Sequence, residues 1–383
     1  MQLFSKKLIA VVFYYSSITT VLFVLINSCD SNNLANQLNT KLNELNRIHI
    51  TDKSLAVNDI KIEARDKNVI LTGKTTNREL YGELRKFSDS LATVFDVLLL
   101  PDPSLGDSTF GIVNVSVTPI RENPLHSSQM IDQAILGNTV TILYQIEDWY
   151  LCQTHYNYVG WITKSTIYQC DTNYNSDWIT QAKYKIIKLN STAYSQPNKL
   201  STPLTDLVLN NRIRINSELN NWIEILLPDG RIGFIEKNDI GLSKNNISTK
   251  DFKQKILNTA MAMKGVPYLW GGNSSKGNDC SGFTQTVFSA AGFLLPRDAR
   301  QQAKLGKIIE PIKAELGDLF FFGNGEKVTH VGISLGGLDF IHQGSKLEGR
   351  VDIHSLNVNS DVYSPYRKDT FMFAKKIASH YGK

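Results

Sequence analysis

The period of the apolar and polar positions changes several times along the chain, and each change marks a different element. Lys6 and Lys7 precede an apolar stretch from Leu8 to Ile26, which ends in Ile26-Asn27-Ser28-Cys29 and gives way to the polar run Asp30-Ser31-Asn32-Asn33. Basic residues, an apolar run and a small residue at the break are the parts of an export signal. Leu34, Leu38, Leu42 and Leu45 then recur at helical spacing, which predicts an amphipathic helix. Ile60-Lys61-Ile62-Glu63-Ala64 and Val69-Ile70-Leu71-Thr72 read as a hairpin, and Arg78 to Leu91 as a second helix.

From about residue 110 to 242 short alternating strands are bounded by Asn, Asp and Gly, the pattern of a small all-β barrel. It occurs twice. Asn138-Thr139-Val140-Thr141-Ile142 aligns with Asn211-Arg212-Ile213-Arg214-Ile215, Trp149 with Trp222, and Gly160-Trp161-Ile162 with Gly233-Phe234-Ile235, all at an offset of 73 residues. A constant offset argues for duplication, and the period-matched Trp149 and Trp222 are read as core residues. The Asn- and Ser-rich stretch from Leu242 to Thr249 is read as a linker.

Beyond it Phe283, Val287, Phe288 and Ala291 fall at helical spacing after Cys280, Gly292 supplies a stop, and Asp279 stands where a cap belongs. One thiol is thus placed at a helix start, where unpaired N–H groups and the helix dipole are expected to lower its pKa from about 8.5 and make it a nucleophile. A buried cysteine acting as a small hydrophobe is the ordinary alternative, and Asp279, Ser281 and Gly282 around it argue against that. Downstream, Val328-Thr329-His330-Val331-Gly332-Ile333-Ser334-Leu335 alternates like a strand, Gly336-Gly337 marks a turn, and Phe340-Ile341-His342-Gln343 starts a return strand. A cysteine nucleophile needs a base and a third group to orient that base, and His330 and His342 supply both. Strand parity constrains them. A two-residue loop at Gly336-Gly337 would put the two histidines on opposite faces, so a shared site demands a three-residue loop or a bulge, with Val331, Ile333 and Leu335 toward the core and His330 toward Cys280.

These residues resemble the NlpC/P60 cysteine peptidases, which cleave peptidoglycan stem peptides on a papain-like fold. The resemblance rests on Gly265-Val266-Pro267-Tyr268-Leu269-Trp270-Gly271-Gly272, Asp279-Cys280-Ser281-Gly282-Phe283, Leu295-Pro296-Arg297-Asp298, Gly317-Asp318-Leu319-Phe320-Phe321-Phe322, and the two histidine strands. It implies Cys280 as nucleophile, His330 as base, His342 as its orienting partner and Tyr268 in the oxyanion hole beside the Cys280 N–H. An amide under attack needs such fixed donors in any fold. The repeats resemble bacterial SH3 domains, and the first resembles the SH3 domain of relatives that release dipeptides from stems with a free L-Ala amine. There a loop Glu and the Tyr of a Tyr-x-Gly-Trp motif close the site. Tyr158-Val159-Gly160-Trp161 matches the motif, but Gln129 stands at the Glu position, so Asp298 and Asp279 are the candidates for the missing negative charge, with Ser281 beside them.

Composition fits an exported multidomain enzyme: 42% hydrophobic and 20% charged residues, with a formal charge of +5, are ordinary for globular domains. No basic helix, zinc-ligand spacing or phosphate-binding Gly loop is present, so no nucleic-acid partner, metal or cofactor is expected. The leader resembles a bacterial lipoprotein signal, which implies lipidation at Cys29 and a membrane tether; an uncleaved anchor or ordinary signal peptide also fits. In that oxidising compartment Cys152 and Cys170 either pair or stay free.

The expected architecture is a leader (1–29), a small α/β domain weakly like the BON domain (30–105), two SH3-like barrels (110–172 and 180–242) and an α+β papain-like catalytic domain (250–383). The expected activity is hydrolysis of the γ-D-glutamyl to diamino acid bond in stem peptides with free L-Ala, by a monomer in the periplasm or cell envelope. A murein endopeptidase acting on intact crosslinked wall and a non-catalytic wall-binding lipoprotein are the alternatives.

Overall fold

A computed structural model describes residues 31–65, 68–243, 248–345 and 348–377. The leader and Cys29 lie outside them. No helix of the described residues is long and apolar enough to cross a membrane. The chain divides into two units, 1–104 and 105–383.

In the first unit, helix α1 (31–49) uses the predicted leucine stripe: Leu38, Leu42 and Leu45 are buried. Strands β1 (Lys61–Arg65) and β2 (Asn68–Thr75) form the expected antiparallel hairpin, and α2 (Arg78–Ser90) is capped by the Asn77 side chain. A third strand, β3 (Val94–Leu99), runs parallel to β2 beyond the predicted elements. Leu71, Leu80, Leu84 and Val97 close a core against α1.

The second unit opens with β4 (Phe110–Val113), β5 (Val117–Arg121), β6 (Met130–Ile135), β7 (Thr139–Ile146), β8 (Trp149–Thr154), β9 (Val159–Thr163) and β10 (Ile167–Cys170). Helix α3 (Thr172–Gln181) leads to β11 (Tyr184–Ile186), β12 (Asn190–Tyr194), β13 (Pro203–Val208), β14 (Arg212–Leu219), β15 (Trp222–Leu226), β16 (Ile232–Glu236) and β17 (Ile240–Leu242). The first sheet is ordered β10-β4-β7-β8-β9-β5-β6 and the second β13-β12-β16-β15-β14-β11-β17. Read from opposite ends these are one topology. The repeat extends to backbone detail: the bulge at Ile142/Tyr144 recurs at Ile215/Ser217 and that at Ile120/Arg121 at Ala193/Tyr194. Left-handed residues recur in the same register, Gly137 with Asn210, Glu147 with Asn220 and Asn157 with Gly230, so the duplicated sequence preserves turns as well as strands. Trp149 is buried as expected, whereas Trp222 is half-buried against Tyr194. Cys152 lies in the first barrel's core and Cys170 packs with Trp178; both are free thiols.

The C-terminal part begins with α4 (Thr249–Ala262), capped by Ser248, and continues through the short pair β18 (Asn273–Ser274) and β19 (Gly277–Asn278) into α5 (Cys280–Ala290). After the single turn α6 (Ala299–Gln302) come β20 (Lys307–Ile309), β21 (Leu319–Gly323), β22 (Val328–Gly336), β23 (Asp339–Gln343), β24 (Val351–Ser355), α7 (Pro365–Thr370) and β25 (Phe371–Lys376). The sheet order is β20-β25-β21-β22-β23-β24. Alternation divides its side chains. Leu319, Phe321, Val331, Ile333 and Ile341 pack against Phe283, Val287 and Phe288 of α5, while Phe320, Phe322 and Phe340 form a second cluster on the other face. Each such fully buried side chain contributes roughly 1.5–3 kcal/mol, which anchors α5 along its length.

The histidine hairpin has the expected parity. Gly336 pairs with Asp339, but Ser334 pairs with Phe340 and Ile333 with Ile341, a bulge lying between Ser334 and Gly336. The even register sets Gly332 opposite His342, and a Cβ on Gly332 would come 3.1 Å from the His342 Cβ. His330 and His342 therefore share a face.

Candidate active site

Asp279 shapes the start of α5. Its carboxylate accepts from the Gly282 N–H at 2.8 Å and the Gly271 N–H at 3.1 Å, which turns the chain so that Cys280 is the first helical residue. The Cys280 N–H is thereby left without an intrahelical acceptor. Gly282 is required because a Cβ there would collide with the Gly272 carbonyl.

The expected depression of the thiol pKa does not hold in this structure. Burial, and after it the Asp279 carboxylate, push Cys280 up to about 12; the backbone N–H groups of Val331 and Ser281 and the Arg297 charge act in the other direction without prevailing. Taking a thiolate out of water costs more here than a helix start returns.

The histidines form a chain longer than the sequence reading supplied. His330 Nε2 lies 2.9 Å from His342 Nδ1, and His342 Nε2 lies 2.9 Å from His354 Nδ1. His354 Nε2 stands 3.5 Å from the Glu348 carboxylate. Burial holds all three imidazoles below their ordinary pKa, and the Arg367 charge adds to this at each. His342 is fully buried behind His330. His342, Glu348 and His354 also offer ligand atoms within 4.8 Å of one another. The 2.9 Å between the two imidazoles is shorter than the ~3.3 Å that two nitrogens on one tetrahedral zinc keep.

Tyr268 is fixed from both sides, its N–H donating to the Gly349 carbonyl at 2.7 Å and its backbone bridging to Asn278. Burial and the neighbouring Cys280 raise its hydroxyl pKa, so it stays a donor. Gln129, Tyr158, Tyr268, Asp279, Cys280, Ser281, Asp298 and His330 line one cleft of about 630 Å³, together with Trp270, Arg297 and Arg367. At its barrel end the Tyr158 hydroxyl donates to Asp298 Oδ1 at 3.3 Å, and Arg300 pairs with Asp298 Oδ2 at 2.9 Å.

Asp279 and Ser281 are already engaged, which counts against Asp279 as a free charge for substrate. Arg297 donates to both Asp279 oxygens at 3.0 and 2.6 Å and to Ser281 Oγ at 3.0 Å. Its Nε donates at 2.5 Å to Asp132 of the first barrel, which also accepts from Tyr156 at 2.5 Å. Both carboxylates hold the guanidinium charged. This network, His354, Glu348 and Arg367 were missed by the sequence reading. Arg367 is buried between the rings of Phe322 and Tyr366, with no carboxylate in ion-pair contact among the described residues.

A thiol, an imidazole and a tyrosine hydroxyl in one cleft are the kinds of group that attack on an acyl carbon requires. Comparison with known proteins carries this further. Residues 265–374 match the NlpC/P60 family and residues 120–167 the bacterial dipeptidyl-peptidase SH3 domain. A gamma-D-glutamyl-L-lysine dipeptidyl-peptidase of Bacillus cereus is 29% identical over 248 residues, covering 61% of this chain and 72% of that protein. The murein DD-endopeptidase MepS/murein LD-carboxypeptidase of Escherichia coli is 32% identical over 165 residues, covering 42% and 84%. A crystal structure of an NlpC/P60 family protein from Bacillus cereus superposes with a TM-score of 0.60 at 23% identity, covering 70% of this chain and 99% of that one. The chain belongs to the NlpC/P60 family, and it is a peptidase.

Proposed function

We propose that this peptidase hydrolyses the γ-D-glutamyl to diamino acid bond of peptidoglycan stem peptides whose L-Ala amine is free. The observation that carries the reading is the placing of Gln129, Tyr158 and Asp298 at one end of the cleft that holds Cys280 and His330. Tyr158 closes that end and Asp298 supplies its negative charge; Gln129 contributes an acceptor. Asp279 and Ser281 shape the floor through Arg297 rather than pairing with the amine.

In this reading the relay has a direction. A carboxylate at Glu348 can only accept, which favours the proton on His354 Nε2. His354 Nδ1 then accepts from His342 Nε2–H, and His342 Nδ1 from His330 Nε2–H. His330 Nδ1 is left with its lone pair, as a base needs. Because burial raises the Cys280 pKa, the proton passes to His330 as sulfur attacks rather than beforehand. The S–C bond forms as the carbonyl π-bond opens, and the oxyanion meets the Cys280 N–H and the Tyr268 hydroxyl. His330 then gives its proton to the leaving amine as the C–N bond breaks, and water hydrolyses the thioester.

The same reading makes residues 180–242 a second SH3-like domain, supported by the shared strand order, and 30–105 a BON-like domain. It also makes 1–29 an export leader with a lipid anchor at Cys29, on a monomer of the cell envelope. Mass spectrometry of products from L-Ala-γ-D-Glu-diamino acid and from its N-acetylated form tests the substrate. Cleavage of the free peptide alone, lost in Cys280→Ala, is expected, because the cap removes the charge and adds bulk in a closed site. Equal rates on both peptides overturn the amine assignment and favour an endopeptidase of intact wall.

A further inference from the structure

A second cavity, of about 270 Å³, lies where both barrels meet the end of α5 remote from Cys280. No Asp or Glu is among its lining residues, whereas Lys185, Arg212 and His155 are. Lys185 is buried and donates from Nζ to the Ser289 and Ala290 carbonyls at 2.7 and 2.9 Å, which leaves one ammonium N–H unused. Among the described residues the Arg212 guanidinium has no carboxylate in ion-pair contact. His155 adds no charge of its own, since burial and Arg212 lower its pKa to about 4.

Two buried polar atoms of residues in the wall lack partners among the described residues. Asn210 is 6% exposed; its Nδ2 donates to the Thr286 carbonyl at 3.0 Å, and its Oδ1 is buried without a hydrogen bond. Flipping the amide would set oxygen against a carbonyl, so the free atom is an acceptor. Ser243 Oγ is likewise buried and unpartnered. Desolvated cations and orphaned polar atoms are costly unless something in the cavity satisfies them.

We propose that this cavity binds a small doubly charged oxyanion that carries its own O–H, monohydrogen phosphate or a group of the same kind. Arg212 and the spare Lys185 N–H meet the charge, Ser243 donates, and Asn210 Oδ1 accepts the ligand's O–H. Such an anion ties both barrels to the C-terminal part. Tyr156 and Asn273 share the cavity wall and both donate to Asp132, the carboxylate that holds Arg297 beneath the cleft. Occupancy therefore stiffens the wall that carries Gln129 and Tyr158.

Calorimetric titration of the full chain with phosphate, and separately with sulfate, tests the site, because sulfate at neutral pH has equal charge and shape but no O–H. Phosphate should bind and raise the unfolding temperature, and sulfate should bind much more weakly. Arg212→Gln, which removes no hydrogen bond seen in the fold, should weaken phosphate roughly tenfold or more. Absence of phosphate binding at millimolar concentration, equal affinity for sulfate, or unchanged affinity in Arg212→Gln each overturns the proposal. Titration of the unaltered protein decides the matter even if the variant folds poorly.

Discussion

Glu348→Gln isolates the far end of the histidine relay. The carboxylate stands 3.5 Å from His354 Nε2 and neither oxygen forms a hydrogen bond among the described residues, so its main effect is its charge. Ring centroids in the relay are spaced 5.1 and 4.9 Å. With an effective dielectric of about 20, one charge acts on another at the His354 contact by ~5 kcal/mol, and on one at His330, roughly 13 Å away along the rings, by ~1.3 kcal/mol. If the imidazolium that forms during attack stays on His330, losing the carboxylate should slow the enzyme about tenfold. If protons shift along the relay so that the positive charge reaches His354, the loss approaches the larger figure, a thousandfold or more. Either way kcat should fall with KM nearly unchanged, because Glu348 does not line the cleft. Stability should not fall, since a buried carboxylate without hydrogen bonds is being neutralised. Steady-state kinetics on the free tripeptide, with thermal unfolding as control, reads the outcome. Wild-type kcat in Glu348→Gln would refute both versions and leave His354 as the end of the functional chain.

Two further outcomes follow from buried charges. Arg297→Met strands the Asp132 and Asp279 carboxylates and should cost about 3–5 kcal/mol in urea unfolding, the range for breaking a buried ion pair by removing one member. Lys185 has its pKa lowered by burial from 10.5 to about 8, so between those values the unfolded chain holds a proton that the folded chain lacks. Wild-type stability should then rise with pH across that window relative to Lys185→Met, by up to ~3 kcal/mol, and run parallel below pH 8 in phosphate-free buffer; parallel curves throughout would contradict the burial of that charge.

What could be read in the sequence was what is encoded locally. Asp279, the spacing of Phe283 and Val287, and Gly292 mark α5 because capping and periodicity operate within a few residues. The even register of His330 and His342 follows from strand alternation once both are required to serve one site. His354 was missed although β24 alternates too: it faces Phe340 rather than either histidine across the ladder, and the contact is diagonal. Glu348 sits in a connection without periodicity. The Asp132 to Arg297 pair joins residues 165 apart in sequence, which neither propensity nor pattern encodes. The thiol pKa was misjudged for a related reason: the helix start is visible in sequence, whereas the burial that outweighs it is a tertiary property.

The duplication explains how one helix comes to be held at both ends. The copies keep their turns and bulges but have diverged at the residues that touch the C-terminal part. At the offset of 73, Asp132 corresponds to Thr205, Tyr158 to Arg231, and Arg212 to Thr139. The first copy therefore reaches the N-terminus of α5, where Asp132 fixes Arg297 against the Asp279 cap. The second reaches the C-terminus, where Lys185 donates to the last carbonyls. At the finish the Lys185 cation suits the helix dipole, and at the start Asp132 offsets the Arg297 charge that lies beside the Asp279 cap. Barrels that only tethered the enzyme to its surroundings would have no reason to divide these contacts so. The division gives the helix that starts at Cys280 contacts from both copies, one at each end, although the second contributes no described residue to the lining of the cleft.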